Sequence, residues 1–524
     1  MGKETDTPKT SLDRSLKLLV KTSFVVFIGV VLSKVLGYLY RVIIARYYGP
    51  EVYGLFTLAT VIVSFFVTIA GLGLSEGFLR YVPIYRSKRR FAEIKTLITK
   101  VLKIYILTGI LCSILLWAFS ESISLNIFHD SGLIWPLKIF SSMILIALVN
   151  NVFLTNLKAF EEISAYSFIF NILQNVTRLL AIVLLIFMGF RSGPNPAVWS
   201  FVISMVAMLI ASYWFFRIKV RPLLSDNHKK LKSKEFFEFF SYSWPIVFYS
   251  LIFIIFYWID TFSLGYHKSS MEVGLYNAAV PIAMLLGMVP EMIMQLFFPM
   301  ISRYYGQNNP ELIEQLSKQV VKWVFVVLLP IFILIFCFPG AALNLLFGSQ
   351  YLVAENALKI LLIGSFISSL FIVSNSLISM IGKSKIILYN ILGASICNFV
   401  LNFILVPREN ILGLNNSNGM VGAALATLVS IILLNTLFLI QTRKYLKFIP
   451  ARRNMAFIGI LSIIPTLLLF YVKSIVPINI ISITILVGLF LLFYLGLILI
   501  FRLFDENDWM IIKAILRKIF SNLK

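Results

Sequence analysis

The chain is a succession of long apolar runs separated by short charged ones. Runs near the roughly 20 residues needed to cross a bilayer fall at 22–46, 54–79, 101–119, 134–157, 163–189, 197–216 and 242–265. Seven more follow at 274–301, 320–338, 355–380, 386–406, 420–441, 455–473 and 479–501. The apolar residues are continuous rather than alternating, which predicts helices and excludes the every-second-residue pattern of an outer-membrane barrel. The expected fold class is therefore an all-α integral membrane protein with 14 transmembrane helices.

The charges between the runs test that count. With both termini cytoplasmic, the inside segments are 1–21, 80–103, 158–162, 217–234, 302–322, 382–385, 442–453 and 502–524. They hold 36 of the 46 Lys and Arg, as the positive-inside rule requires. The outside loops keep a handful, among them Arg191, Lys268, Arg408 and Lys473. Losing or gaining one helix would scramble this alternation.

Composition agrees. Over 524 residues, 59% are hydrophobic and 13% charged, with a mean hydropathy of +0.92; soluble domains carry about a quarter charged residues. The net charge of +23 sits in loops, which suits an anionic leaflet and argues against nucleic acid as a partner. Cys112, Cys337 and Cys397 lie in apolar runs, and His129, His228 and His267 are scattered, so no metal site is expected. The first apolar run is about 25 residues long without a small-residue cleavage site, which reads as a retained helix rather than a signal peptide. The terminal "WMIIKAILRKIF" reads as an amphipathic helix on the cytoplasmic surface, or more plainly as a solvated tail.

Internal similarity recurs at a nearly constant spacing. "EVYGLFTLA" from 51 matches "EVGLYNAAV" from 272, with Gly54 set on Gly274 at an offset of 220. The stretch from Lys138 matches that from Lys359 at 221, and "GPNPAVWSFVIS" from 193 matches "GMVGAALATLVS" from 419 at 226. The order predicts two six-helix repeats, dividing the chain at 1–220, 221–450 and 451–524, the last block holding helices 13 and 14 and the tail. Six is even, so the repeats are parallel about an axis along the membrane normal. That arrangement, with a substrate site between the halves, belongs to alternating-access transporters.

Ionisable side chains near mid-membrane cost about 2.5–3.5 kcal/mol on insertion scales and should face protein or water. In the first run, Lys34, Gly37, Tyr38 and Arg41 share one helical face, while Arg46 reads as an interface anchor. In the fifth run, Asn171, Gln174, Asn175 and Arg178 recur at i, i+3, i+4 and i+7. The bland reading is interhelical glue; an Arg at mid-membrane favours a wet cavity. The eleventh run adds Asn390, Asn398 and Asn402, and the tenth adds Asn375. Acids are fewer: Glu76 with Arg80 one turn on, Glu291 with Gln295 one turn on, and Asp260, which the offset sets beside Arg41 as a candidate gating pair. These three acids are the candidate coupling or gating residues. A cavity rich in cations and amides suits an anionic, hydroxyl-rich cargo such as a lipid-linked pyrophosphoryl oligosaccharide.

"SKVLGYLYRVIIARYYGPEVYGLFTLA" followed by "GLGLSEGFLRYVPIY" resembles the N-terminal signature of polysaccharide-biosynthesis flippases. These are Wzx-type and sporulation-protein-B-like members of the multidrug/oligosaccharidyl-lipid/polysaccharide exporter superfamily. "GPEVYGLF" is the most specific element, and "GMVGAALAT" also resembles the family. The resemblance implies flipping of polyprenyl-linked saccharides to the outer leaflet of the cell membrane, with Lys34, Arg41 and Arg178 as the matching cations. It also implies a lipid-tail groove for helices 13 and 14. The partners expected are lipid-linked oligosaccharide and membrane lipids, with a functional monomer, no cofactor, and proton or sodium coupling left open. A drug/cation antiporter of the same superfamily would want central carboxylates. A membrane glycosyltransferase or polymerase would want an acidic site in a large loop, and no such loop exists.

Overall fold

The computed structural model describes residues 8–190, 192–224, 231–411, 413–475, 480–501, 503–504 and 508. The stretch expected to form the terminal amphipathic helix, 509–520, lies outside the described residues. Nearly everything described is helical, apart from one short hairpin, Asn410–Ile411 with Leu414–Asn415. Thirteen helical stretches among the described residues are long and apolar enough to cross a membrane. Their outward faces carry large apolar side chains such as Leu107, Phe187, Ile481 and Leu492, each more than 70% exposed. Apolar faces of that extent are stable against lipid tails and not against water.

The first of these stretches, Gly29–Ala70, spans 42 residues, about 63 Å at the α-helical rise and roughly twice a bilayer core. It belongs to helix α1 (Pro8–Ala70), which takes in the first two apolar runs and breaks between them at Gly49 (φ 85°, ψ 174°). That backbone region is open essentially to glycine alone. Pro50 then opens the second arm, where its fixed φ suits a helix start. The "GP" of "GPEVYGLF" is this elbow.

The second run was expected to continue to residue 79. Instead it stops at Ala70, and Leu72 and Gly73 turn through positive φ into α2 (Leu74–Ser87). Gly73 and Gly77 let α8 (Ser233–Ser243) press against α2: a Cβ on Gly77 would fall 2.2 Å from Ser243 Oγ.

The described chain forms two compact units. The first comprises residues up to Pro281 with Leu343–Ala357 and Ala394–Ala426. Its core is α4 (Ile134–Ala159), which packs against α1, α3 (Phe91–Ser122) and α7 (Asn195–Lys219). Phe56, Phe140 and Phe201 meet edge to face at 5.7–6.0 Å and tie α1, α4 and α7 together. Each such pair adds about 0.5–1.5 kcal/mol beyond burial. The second arm of α1 crosses the start of α10 (Ser270–Gly306) backbone to backbone. A Cβ at Gly54 would lie 1.7 Å from the Ser270 carbonyl oxygen, and one at Gly274 would lie 1.8 Å from that of Pro50. The two glycines matched at an offset of 220 are thus in contact.

Beside that crossing, Arg46 donates to the carbonyls of Leu346 (2.8 Å), Asn344 (2.9 Å) and Leu345. These are the last carbonyls of α12 (Pro339–Leu346), so Arg46 works as a cationic helix C-cap rather than only as an interface anchor. Tyr351 OH donates to the Ala45 carbonyl (3.0 Å) and completes the fastening of the elbow.

The second unit holds α11 (Pro310–Cys337), α16 (Arg453–Ile475) and α17 (Ile480–Ile500), with Ile282–Ala342, Leu358–Gly393 and the remaining C-terminal residues. Val326, Leu329 and Ile333 of α11 pack on Ile458, Phe490 and Tyr494. Polar ties hold the three helices at separate heights. Lys473 Nζ caps the Cys337 carbonyl (2.5 Å), Tyr494 OH donates to the Val326 carbonyl (3.0 Å), and Lys322 Nζ donates to the Leu503 carbonyl (3.0 Å). Lys322 and Asp508, 1% and 0% exposed, form a buried ion pair that Gln319 also joins. The sequence set Lys322 where the inside segment 302–322 overlaps the ninth apolar run, 320–338; the structure buries it.

Candidate functional site

The fifth run does not form one regular helix. It begins as α5 (Ile163–Ser167), widens into a π-helical turn at Phe168–Leu173, and resumes as α6 (Gln174–Phe187). The amides supply a reason. Asn175 Nδ2 donates to the Asn171 carbonyl (3.0 Å) and so competes with the backbone ladder. Such turns recur at functional sites.

The same Asn175 Nδ2 also reaches Ser33 Oγ on α1 (3.0 Å), and Asn171 Nδ2 donates to Ser167 Oγ (3.0 Å). Gly29, Ser33 and Gly37 give α1 a small-residue face that admits this seam; a Cβ at Gly29 would stand 2.7 Å from Ser167 Oγ. Helix–helix contacts of this kind are usual in membranes. Gln174 donates to Met205 Sδ (3.6 Å). Asn171, Gln174 and Asn175 are all buried, so the amides of the stripe hold protein to protein.

The cations differ. Lys34, Tyr38 and Arg41 are half-buried along the face next to that seam, and Tyr38 OH donates to the Pro281 carbonyl. The Arg178 guanidinium lies 4.0 Å from the ring centroid of Phe201 and 5.3 Å from that of Tyr40. Tyr40 is itself fixed by bonds to the Ala197 carbonyl (2.7 Å) and Ser200 Oγ (2.9 Å). Arg178 Nε is buried and has no hydrogen-bond partner among the described residues. An aromatic clamp thus holds a guanidinium with donor capacity to spare, a combination suited to a phosphate oxygen.

A second polar cluster surrounds Asp260 on α9 (Ile246–His267). Tyr276 OH donates to its Oδ2 (2.7 Å), and Asn402 Nδ2 of α14 (Ser384–Leu405) donates to its Oδ1 (2.8 Å). Asn402 Nδ2 also meets the Asn398 carbonyl (3.0 Å), while Asn398 Nδ2 reaches the Phe256 carbonyl (3.3 Å). The i, i+4 pair Asn398/Asn402 was visible in the sequence; Tyr276 lies within the repeat match at 272–280, where nothing marked it as a partner of Asp260.

The remaining candidates are dispersed. Asn390 is closed in a reciprocal amide pair with Gln441 of α15 (Met420–Leu446), at 2.6 and 2.8 Å, in the second unit. Asn375 is half-buried on α13 (Glu355–Met380), and Glu291 is exposed on α10; the side chain of Gln295 lies outside the described residues. Glu76 is exposed in the first turn of α2, where an acid complements the helix dipole. Arg80 lies over the Tyr242 ring at 4.2 Å.

The model of the family described as polysaccharide biosynthesis protein matches residues 19–305, more than half of the chain. The chain belongs to that family. A second family model, MatE, matches residues 245–404. Among its relatives, a putative O-antigen transporter of Shigella flexneri is 25% identical over 66% of this chain and 80% of that protein. The lipid II flippase MurJ of Bacillus subtilis is 23% identical over 74% of this chain and 77% of its own. A solved structure of lipid II flippase MurJ in an inward closed conformation covers 92% of this chain and 99% of its own, at TM-score 0.69 and 16% identity. The fold of this family member is therefore that of MurJ, and the two relatives given carry the names of a transporter and a flippase.

Proposed function

We propose that this protein flips a polyprenyl-(pyro)phosphate-linked oligosaccharide from the cytoplasmic to the outer leaflet of the cell membrane, for assembly of a cell-surface glycan. The observation that carries the reading is Arg178, a guanidinium clamped between Tyr40 and Phe201 with its buried Nε unspent. With Lys34 and Arg41 it supplies the charge that a phosphoryl headgroup needs. The names of the O-antigen transporter and MurJ relatives point to the same cargo class.

In this reading the elbow at Gly49 divides Gly29–Ala70 into two crossings, giving 14 spans with both termini cytoplasmic. Two parallel six-helix repeats then rock about the headgroup while the prenyl tail stays in lipid beside α16 and α17. The protein works as a monomer, and Asp260, with its bonds to Tyr276 and Asn402, is the element that responds to a coupling ion. The test is flipping of a fluorescent lipid-linked sugar in proteoliposomes. Lys34→Ala and Arg178→Ala should each abolish it while leaving expression and folding intact; normal turnover by both variants would remove the cations from the cargo site.

A further inference from the structure

The loop between α14 and α15 is built around one buried side chain. Asn416 is 1% exposed; its Nδ2 donates to the carbonyls of Leu405 (2.9 Å) and Arg408 (2.6 Å), and its Oδ1 accepts from the Gly422 amide (2.8 Å). Both of its amide protons are thus spent on the loop. Two glycines let the turn close. A Cβ at Gly422 would stand 2.5 Å from the Leu405 carbonyl oxygen, and Gly419 turns at φ 71°. Lys268, just past the end of α9, donates to the Ser417 carbonyl (2.8 Å), and the Ser417 amide donates to Asn415 Oδ1 (2.9 Å). Residues 415–419 are therefore held in one shape by bonds that leave other polar groups uncommitted.

Those groups line a cleft of about 130 Å³. The side chains of Asn356, in the first turn of α13, and of Ser417 and Asn418 carry no hydrogen bond among the described residues. Asn415 Nδ2 is likewise unspent. Beneath them lie Ala357, Met420 and Val421, all buried and apolar. None of the residues lining the cleft is charged, and all belong to the first unit.

From this lining we infer a binding site for one neutral pyranose ring. An amide and a hydroxyl each donate and accept, as a sugar hydroxyl does, so Asn356, Asn415, Ser417 and Asn418 can meet neighbouring hydroxyls in either sense. The apolar floor suits the C–H face of a ring, which a phosphate or a metal ion does not have. Size decides how much of a glycan enters. Drug-sized ligands take about 300–1,000 Å³, so this cleft admits a single ring and leaves the rest of an oligosaccharide outside. A loop set before the ligand arrives also loses little freedom on binding. In the orientation given above the loop lies on the outer face. The site then takes one sugar of the cargo after it has crossed and before the lipid leaves the protein. That role rests on the flippase reading; the site itself does not.

Binding is measured on the full chain in lipid nanodiscs, free of sugar-based detergent, by saturation-transfer NMR with methyl glucoside, methyl galactoside and methyl N-acetylglucosaminide. At least one should bind, and Asn356→Leu with Asn418→Leu should weaken it at least tenfold, since each neutral hydrogen bond is worth up to about a factor of ten. The unaltered protein gives a second readout, because the bound pyranoside should slow amide exchange in residues 415–421 severalfold. No binding by any of the three, an unaltered affinity in the double variant, or unchanged exchange overturns the site. The same double variant should slow flipping of lipid-linked sugar severalfold, and flipping at the unaltered rate overturns its place on the cargo path. Binding of the pyranoside by an unaltered protein that flips no lipid-linked sugar would count against the flippase reading alone.

Discussion

Replacing Gly54 with alanine should be among the most damaging single-methyl changes available in this chain. The new Cβ would lie 1.7 Å from the Ser270 carbonyl oxygen, 2.7 Å from its carbon and 2.9 Å from the Gly274 nitrogen. Carbon and oxygen in close contact across helices stand about 3.3–3.6 Å apart, so the two backbones must separate by roughly 1.6–1.9 Å. No side chain can rotate away, because everything in the path is main chain. Overpacking of this kind typically costs 1–3 kcal/mol, and a rigid obstacle puts Gly54→Ala at the upper end, about 3 kcal/mol, or a hundredfold in the folding equilibrium. The assay is thermal unfolding of purified protein in one detergent at one scan rate, since such transitions are often rate-dependent. Gly274→Ala should cost a similar amount through the Pro50 carbonyl at 1.8 Å. The double variant should cost less than the two singles together, because the first separation makes room for the second methyl. Gly488→Ala in α17, where nothing lies within 4 Å, is the control and should be neutral or stabilising. Gly54→Ala melting with the unaltered protein would refute the backbone crossing.

Three further outcomes are expected. Lys322→Met leaves Asp508 buried without its cation and should destabilise by about 3–5 kcal/mol, while Lys322→Met with Asp508→Leu should recover most of the loss in the same melt; a double variant as weak as the single would deny the pairing. Arg46→Ala removes the cap on α12 and should cost about 0.3–1 kcal/mol, with faster amide exchange in residues 339–346 as the local readout and unchanged exchange as the contrary one. Asn390→Leu alone should destabilise more than Asn390→Leu with Gln441→Leu, because the single change strands one amide of a reciprocal pair; this is read as a double-variant cycle in thermal melts.

The apolar runs were legible because a bilayer imposes one length on every crossing, and that length is written directly in the residues. The elbow was legible too, since "GP" can hardly do anything else between two helices. The interior partnerships were harder to read. Helical period set Asn171, Gln174, Asn175 and Arg178 on one stripe, but the π turn at Phe168–Leu173 and the bonds to Ser33 and Ser167 depend on which helix lies opposite. Asn390, Asn398 and Asn402 look equivalent along one run. The structure sends Asn390 to Gln441 and the other two to α9, a division no local pattern encodes. Arg178 announced itself by its charge. Its clamp did not, because Tyr40 and Phe201 are ordinary aromatics in a chain that has 47 Phe.

The tie between Lys322, Leu503 and Asp508 changes how the end of this chain must be handled. Residues past α17 look like a disposable extension, the natural place to cut or to attach a tag. A version ended at Ile500 would instead take the Leu503 carbonyl and the Asp508 carboxylate away from the Lys322 ammonium. Engineering at this terminus is in effect core mutagenesis, and any reporter belongs beyond Asp508.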